Sequence, residues 1–269
     1  MRRQQKLTAR IGVDIGGTFT DVVLENGHMR HSAKVLTTPR APEEGVTAGI
    51  RGVLADSGVT PNKVSLIIHG TTLATNALIE RKGVTTALVT TEGFRDSVEM
   101  GSESRFEQYD INMEKPLPLV PRRRRFVVSE RLNAAGEVIL ALDEPAVVAL
   151  VEPLKTLQVE SVAIGFLHSY VNPVHERRAH EILSAALPDV TFTLSSDVAP
   201  EMREYERFST ACANAYVQPI MARYLRRLES GLKNQGFGCP LFVMLSGGGV
   251  ADIETGIRFP IRLVESGPV

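Results

Sequence analysis

The sequence predicts an α/β fold in which a mixed β-sheet is flanked by helices. The N-terminal segment alternates apolar and polar residues around the turn Gly16-Gly17, a pattern typical of antiparallel strands. From residue 64 onward, short apolar runs alternate with helix-forming segments, as in strands joined by crossover helices. From residue 207, apolar or small residues recur at every fourth position, which indicates a long amphipathic helix.

The N-terminal segment predicts three antiparallel strands followed by a helix. The strands are expected at residues 11–14, 19–24 and 31–37. The helix is expected to begin at Pro42, because Glu43 and Glu44 then lie in its first turn, where the helix dipole favours acidic side chains. It is expected to end near Gly58.

The middle of the sequence predicts alternating strands and helices with one interruption. Strands are expected at residues 64–68, 85–90, 159–166 and 191–194, and helices after residue 72, from residue 144 and around residues 174–186. Residues 92–121 lose this periodicity and contain several prolines, which indicates a loop-rich insertion. Residues 126–132 and 138–142 flank a polar turn, so they predict a second hairpin.

The predicted domain boundary lies directly before the long helix. We assign residues 1–206 to an N-terminal lobe, with an inserted loop and hairpin near residues 92–142. Residues 207–269 then form a connecting helix, kinked at Pro219, and the beginning of a second lobe. Because the sequence stops within a glycine-proline turn, we expect this second lobe to be truncated.

Composition argues against several classes of function. The 30 basic and 31 acidic residues nearly cancel, so no global field favours nucleic acid or an anionic membrane. The apolar run near the N-terminus is too short for a signal peptide or a membrane span. Cys212 and Cys239 have no partner at metal-site spacing and argue against a disulfide scaffold. We therefore expect a cytoplasmic protein that binds neither nucleic acid nor membranes.

The strongest motif is the glycine turn VDIGGTFTD at residues 13–21. Asp14, at the end of a buried strand, can hold Mg²⁺ directly or through water. The two glycines let backbone amides turn toward phosphate oxygens, and Thr18 and Thr20 add hydroxyl donors. Asp21 can orient a water molecule or contact the metal.

This turn differs from two common nucleotide-binding motifs. Its glycines join two strands instead of opening a helix, and the sequence GxxxxGK[ST] is missing, so neither a Rossmann site nor a P-loop is predicted. The string resembles the first phosphate loop of the actin/Hsp70/sugar-kinase ATPases, which implies a ribonuclease H-like fold. An ordinary glycine hairpin with a solvated aspartate is the alternative.

A second motif, HGTTLATNALIERKG, occupies residues 69–83. Gly70, Thr71 and Thr72 lie where a strand meets a helix, so their amides and hydroxyls can point at an anion or at the adjacent lobe. Plain helix capping is the alternative for the threonines. His69 is either a hydrogen-bonded residue at a strand end or a residue with a catalytic or substrate-binding role.

Together, the two motifs resemble the A-type subunit of hydantoinases and 5-oxoprolinases, and of the related acetone carboxylases. Further matches are EKPLPLVP at residues 114–121, FLHSY at 166–170, EYER at 204–207 and SGP at 266–268. The sequence departs from the family at LSGGG, residues 245–249, and at Val269. The resemblance covers nearly the whole chain.

This resemblance implies a two-lobed cleft that binds ATP and Mg²⁺. The candidate cofactor-binding residues are Gly16, Gly17, Thr18, Phe19, Thr20, Gly70, Thr71, Thr72, Gly248, Ser266 and Gly267. The candidate catalytic residues are Asp14, Asp21 and His69, with Asp14 also the metal ligand. The implied reaction is phosphorylation of the carbonyl oxygen of a hydantoin or 5-oxoproline type of cyclic amide, followed by hydrolysis.

The resemblance also implies partners and leaves other functions open. A B-type hydantoinase subunit and an oligomeric assembly are expected, and the fragment alone is expected to be inactive because the second lobe is unfinished. One alternative is an ATP-dependent ketone carboxylase subunit. The others are a sugar-kinase-like phosphotransferase and a noncatalytic module in which nucleotide changes lobe closure without turnover.

Overall fold

The structure, a computed structural model, describes residues 9–38, 41–102, 109–112 and 114–264. The strands are β1 (Ala9–Ile15), β2 (Phe19–Asn26), β3 (Met29–Leu36), β4 (Val64–Thr71), β5 (Thr86–Thr91), β6 (Arg125–Val128), β7 (Arg131–Leu132), β8 (Val138–Leu140), β9 (Ser161–Gly165), β10 (Thr191–Leu194), β11 (Leu241–Met244) and β12 (Val250–Asp252). The α-helices are α1 (Pro42–Ser57), α2 (Leu73–Ile79), α3 (Ser97–Met100), α4 (Glu144–Ala149), α5 (Val151–Thr156), α6 (Val174–Ala186), α7 (Ser195–Val198), α8 (Glu204–Asn234) and α9 (Ile253–Arg258). Short 3₁₀ helices lie at Pro61–Lys63, Arg122–Arg124 and Pro260–Leu263.

The described residues divide into two compact units. The first contains the residues up to Lys82 and from Ile220 onward, and the second contains Gly83–Pro219. The sequence-based boundary between residues 206 and 207 falls inside α8. The units differ from the predicted domains because β11, beyond α8, pairs with β4 and so completes the N-terminal sheet. The division of the complete protein into two lobes stays a prediction.

The first unit is built on a six-stranded mixed sheet with the order β12-β11-β4-β1-β2-β3. β1, β2 and β3 are antiparallel neighbours, as the glycine turn predicts. β4 is parallel to both β1 and β11. Helix α1 follows β3 and ends at Gly58, which adopts the left-handed conformation with φ +66°. The predicted α/β class and mixed sheet are confirmed.

The two faces of this sheet differ in burial. On β1 and β2, alternate residues such as Val13 and Val22 are buried, whereas the residues between them are exposed or half-buried. Helix α1 packs on the buried face, where a β-carbon at Gly49 would approach Cγ2 of Val22 to 2.7 Å. Asp14 and Asp21 alternate with these buried residues and therefore lie on the other face.

The second unit contains a four-stranded parallel sheet with the order β10-β9-β5-β6. Its core includes Val89, Val162, Ile164 and Phe166, and α6 packs beside it through Leu183. The predicted single strand at residues 126–132 is wrong. It is split, because β6 joins the edge of the parallel sheet while β7 pairs with β8. Within the described ranges, no helix is both long and apolar enough to cross a lipid bilayer.

Candidate functional site

The candidate site lies at one edge of the first unit's sheet. β1, β4 and β11 are parallel, so their carboxyl ends meet at the same edge, where α/β proteins commonly bind ligands. The structure therefore brings together the Asp14–Thr18 turn after β1, Gly70–Thr72 at the end of β4, and the 245–249 turn after β11. These segments come from three distant parts of the sequence.

Asp14 is the residue of this edge whose environment is least satisfied. Its neighbours across the sheet are Asp21 on β2 and Gly70 on β4. A β-carbon at residue 70 would lie 3.3 Å from Oδ1 of Asp14, so glycine leaves room for the carboxylate. Oδ1 is buried, and no described group hydrogen-bonds to it. Burial, and then the negative charge of Asp21, raises the pKa of Asp14.

Asp21 lies opposite Asp14 but has a cation of its own. Both of its carboxylate oxygens accept hydrogen bonds from Nζ of Lys34, each at 3.1 Å. The same Nζ lies 5.0 Å from the centre of the Phe19 ring, which is partly exposed. Asp21 and Lys34 therefore form an exposed ion pair beside Asp14.

The glycine turn is closed on one side and open on the other. The amide of Gly16 donates to the carbonyl of Phe19 at 2.9 Å. Thr37 holds the turn from the end of β3, since its hydroxyl donates to the Gly16 carbonyl and its amide donates to the Thr18 carbonyl. Among the described residues, none accepts a hydrogen bond from the exposed amides of Gly17 and Thr18. Two donors thus remain for an anion.

Several of the predicted phosphate-binding hydroxyls are engaged within the protein. Thr20 is fully buried, and its hydroxyl lies 3.0 Å from that of Thr37. The hydroxyl and amide of Thr72 both donate to the Ile15 carbonyl at 3.1 Å. The hydroxyl of Thr71 accepts from the amide of Leu73 at 3.2 Å. In this structure, these threonines stabilise the edge on which the turn lies.

His69 does not lie with Asp14. Its partner across the sheet is Val13, so its side chain is on the buried face, where Nε2 lies 2.7 Å from the hydroxyl of Tyr224. Nδ1 is buried and no described group hydrogen-bonds to it. Complete burial lowers the pKa of His69 to about 4, which keeps the ring neutral at physiological pH. A catalytic role for His69 stays a prediction.

The remaining candidates lie at the turn after β11 or outside the described residues. Gly248 has φ +82° and its amide donates to the Leu245 carbonyl at 3.0 Å, so it closes the β11–β12 hairpin. Ser266 and Gly267 lie outside the described residues. Within the described ranges, the glycine turn included, no three His, Cys, Asp or Glu side chains form a cluster able to hold a metal.

A cavity of about 260 Å³ borders the glycine turn within the first unit. Gly16, Gly17, Thr37, Asn76 and Lys82 are among its lining residues. Neither Thr37 nor Asn76 was predicted as a site residue from the sequence. Thr37 is the last residue of the third predicted strand and resembles an ordinary strand end, and Asn76 lies in the string ATNAL without a distinctive neighbour. Their positions in the cavity lining depend on how β3 and α2 are placed in the folded chain.

The sequence matches two parts of one known family. Residues 10–187 match the family described as Hydantoinase/oxoprolinase N-terminal region. Residues 207–269 match the family described as Hydantoinase/oxoprolinase. The two matches together include nearly all of the described residues.

The chain is also similar to individual proteins of known name. The chain is 37% identical over 268 residues to the caprolactamase subunit alpha of Pseudomonas jessenii, covering 96% of this chain and 38% of that protein. The crystal structure of that ATP-dependent caprolactamase superposes with a TM-score of 0.87 and 36% identity. The chain is 30% identical to a 5-oxoprolinase of Saccharomyces cerevisiae, covering 98% of this chain and 23% of that protein.

A further solved structure shares the fold. A nucleotide-free acetone carboxylase superposes with a TM-score of 0.88 at 24% identity, over 97% of this chain and 39% of that one. The chain therefore spans well under half the length of the proteins it resembles.

Proposed function

The chain belongs to the hydantoinase/oxoprolinase family, and from that premise we propose that it is the ATP-binding N-terminal part of a hydrolase that opens a cyclic amide. The observation that supports this best is the environment of Asp14, a half-buried carboxylate whose buried Oδ1 has no hydrogen-bond partner among the described groups, on the same glycine turn as two open backbone amides. Such a pair of features suits a phosphate group with a bound cation.

The residues of the edge fit Mg²⁺ held together with a triphosphate. Mg²⁺ is usually held by one or two carboxylates, with water and substrate phosphates completing its coordination. The unsatisfied Oδ1 of Asp14 meets this requirement, and the amides of Gly17 and Thr18 are placed to hold phosphate oxygens. We propose on this basis that the first unit has the actin/Hsp70/sugar-kinase type of nucleotide-binding fold.

The proposed reaction uses this arrangement for phosphoryl transfer. Transfer of the γ-phosphoryl group of ATP to the amide oxygen of the ring would release ADP and make the carbonyl carbon open to attack by water. After water adds, the ring C–N bond would break to give an amine and an acyl phosphate, and a second water would release inorganic phosphate and the carboxylate. The protein's part is to position the phosphates and neutralise their charge, which accounts for most of phosphoryl-transfer catalysis. Substrates of the hydantoin or 5-oxoproline type, a B-type partner subunit and an oligomeric assembly belong to the same proposal.

The test is release of phosphate by the complete subunit together with its partner. Hydantoin, 5-oxoproline, caprolactam, acetone and glucose are each supplied with ATP and Mg²⁺. Phosphate release stimulated by a cyclic amide, in step with ring opening, supports the proposal. Stimulation by acetone with bicarbonate indicates a carboxylase, and phosphorylation of glucose indicates a sugar kinase. Binding of Mg-ATP without turnover on any substrate indicates a nucleotide sensor.

A matched pair of variants connects this test to the site. Asp14→Asn removes the carboxylate of the proposed metal site, whereas Asp252→Asn changes an exposed carboxylate at the N-terminus of α9. We expect the first variant to abolish Mg²⁺-dependent phosphate release and the second to retain it. Full turnover by Asp14→Asn would remove this residue from the proposed role.

A further inference from the structure

A separate cavity of about 480 Å³ lies entirely within the second unit. It is located at the carboxyl end of β5 and is lined by Phe94, Arg95, Met100, Arg122, Glu204 and Tyr205, among others. The carboxyl edge of a parallel sheet is a common place for small-molecule sites, and this volume is within their usual range. None of the roles proposed above involves this cavity.

One wall of the cavity is fixed by paired charges. Nε and Nη2 of Arg122 each lie 3.0 Å from a carboxylate oxygen of Asp96. Behind them, the buried Arg125 donates to Glu99 at 2.7 Å and to the Val120 carbonyl at 2.9 Å. Bidentate pairs of this kind fix the orientation of both side chains. Arg122 is therefore neutralised within the wall.

The part of the lining that comes from the start of α8 is held by the buried residue Arg207. Its guanidinium donates to the Glu201 carbonyl and to the Phe166 carbonyl, each at 2.9 Å, and so connects the start of α8 with the loop after β9. Both segments contain a non-glycine residue in the left-handed conformation, Arg203 with φ +77° and His168 with φ +57°. Arg207 thus holds two strained loops and the first turn of α8, which presents Glu204 and Tyr205.

Two unlike charges line the cavity without pairing. Arg95 donates one long hydrogen bond, of 3.4 Å, to the Arg122 carbonyl, and its buried Nε has no partner among the described groups. Within the described ranges, the side chain of Glu204 forms neither a hydrogen bond nor an ion pair. Arg95 and Glu204 also form no ion pair with each other. Asp96 attracts Arg95 through space, without a hydrogen bond or ion pair between them. Arg207 attracts Glu204 in the same way.

We propose that this cavity binds a small zwitterion with a carboxylate at one end and an ammonium group at the other. Arg95 binds the carboxylate, and Glu204 binds the ammonium group. Phe94 and Met100 provide apolar surface for the methylene groups between them. A ligand with both charges satisfies both side chains, whereas a simple anion or cation leaves one of them half-buried and unpaired.

This inference depends on the second unit alone, so it stands whether or not the first unit binds ATP. A connection with the reaction is nevertheless direct, since hydrolysis of a lactam gives an amino acid with these two groups. That connection, a product site, rests on the proposed function.

The experiment compares three ligands of equal length on the 269-residue chain. Binding of 5-aminopentanoate, pentanoate and pentylamine is measured by ligand-observed NMR and calorimetry. We expect the amino acid to bind at least about tenfold more tightly than either singly charged ligand, because charge-assisted hydrogen bonds form at both ends. Equal binding of the amino acid and pentanoate, or no binding of the amino acid, would overturn the proposal.

Variants give a crossed pattern that a general loss of structure does not produce. Arg95→Gln is expected to remove the preference for 5-aminopentanoate over pentylamine, and Glu204→Gln the preference over pentanoate. Arg226→Gln, an exposed change in the first unit, serves as the matched control and should bind like the unmodified chain. If Arg95→Gln does not fold, Arg95→Lys keeps the charge and should keep the preference. Unchanged selectivity in Arg95→Gln and Glu204→Gln would refute the assignment.

Discussion

Asp14 and Asp21 are direct partners across the first hairpin, but among the described side chains a cation contacts only Asp21. Lys34 pairs with Asp21 in solvent, while Asp14 lies over Gly70 with a buried oxygen that no described group satisfies. The ionised form of Asp14 is therefore disfavoured by burial and by its neighbour's charge. An external cation relieves both effects, which makes this pair a sensitive place for mutational tests.

The first prediction concerns the stability of Asp14→Asn. An acid whose pKa is raised by folding lowers the stability of the protein as the pH rises through that raised pKa. At neutral pH, the variant should therefore unfold at the same or a higher temperature than the unmodified chain. It should also lose any increase in melting temperature caused by Mg-ATP. Glu25→Gln is the control, since an exposed pair such as Glu25 with Arg30 contributes less than about 1 kcal/mol.

The outcome that would contradict this prediction is a clear loss of stability in Asp14→Asn without nucleotide. Such a loss would mean that the carboxylate already has a stabilising partner in the folded chain. Thermal unfolding with and without Mg-ATP distinguishes the two cases.

The second prediction compares two glycines in adjacent strands. A β-carbon at residue 70 would lie 3.3 Å from Oδ1 of Asp14, whereas one at residue 12 would have no atom within 4 Å. We expect Gly70→Ala to displace the carboxylate and weaken Mg-ATP binding at least about tenfold, since small displacements in such sites are costly. Gly12→Ala should leave binding unchanged. Calorimetry checks both variants, and equal affinities would exclude close packing of Gly70 as a requirement.

The third prediction is a pH dependence caused by His69. Because folding lowers its pKa from 6.5 to about 4, the unfolded chain binds more protons between these values. The His69 contribution is complete above about pH 6.5 and is lost as the pH falls toward 4. A pKa that is lower by two to three in the folded chain corresponds to a loss of stability on the order of 3 kcal/mol once the pH has fallen to about 4. In His69→Gln, the free energy of unfolding should change less between pH 7 and 5.

Urea denaturation at several pH values measures this difference. Replacement of His28, which is exposed, provides the control and should retain the slope of the unmodified chain. A slope that is the same in all three proteins would show that His69 is not the titrating group.

The fourth prediction concerns the buried Arg207. Besides its bonds to Phe166 and Glu201, its Nε donates to the hydroxyl of Ser195 at 3.1 Å. Arg207→Met keeps much of the volume but removes a charged donor from each of these acceptors, so we expect a loss of about 3 to 5 kcal/mol in the free energy of unfolding. Arg226→Met, on the surface, should cost little. A loss below about 1 kcal/mol for Arg207→Met would contradict the structural role assigned to the guanidinium.

Features specified by neighbouring residues were predictable from the sequence. Helix α6 spans Val174–Ala186, as expected from its apolar spacing, and α1 begins at Pro42 with acidic residues in its first turn. The turn at Gly16 and Gly17 also follows from local composition, because glycine permits the tight connection between two strands. The family resemblance was likewise present in short strings of residues.

Features that depend on pairing between distant segments were not predictable. His69 and Gly70 are adjacent in sequence, but successive residues of a strand point to opposite faces, so register decides which of them lies beside Asp14. Only the end of β3 places Thr37 at the glycine turn. In the same way, the cavity beside Arg95 requires β5 and the start of α8 to approach each other.

The pairing of β11 with β4 has a consequence for biosynthesis. The second unit is one continuous stretch of chain, so all of it has been synthesised before β11 is made. The sheet of the first unit, in contrast, gains β11 and β12 only after the whole second unit has been translated. Until then, β4 has an open edge that can pair with another nascent chain. Slow translation or low temperature during expression should therefore change the fraction of chains with a correctly folded first unit more than the fraction with a correctly folded second unit.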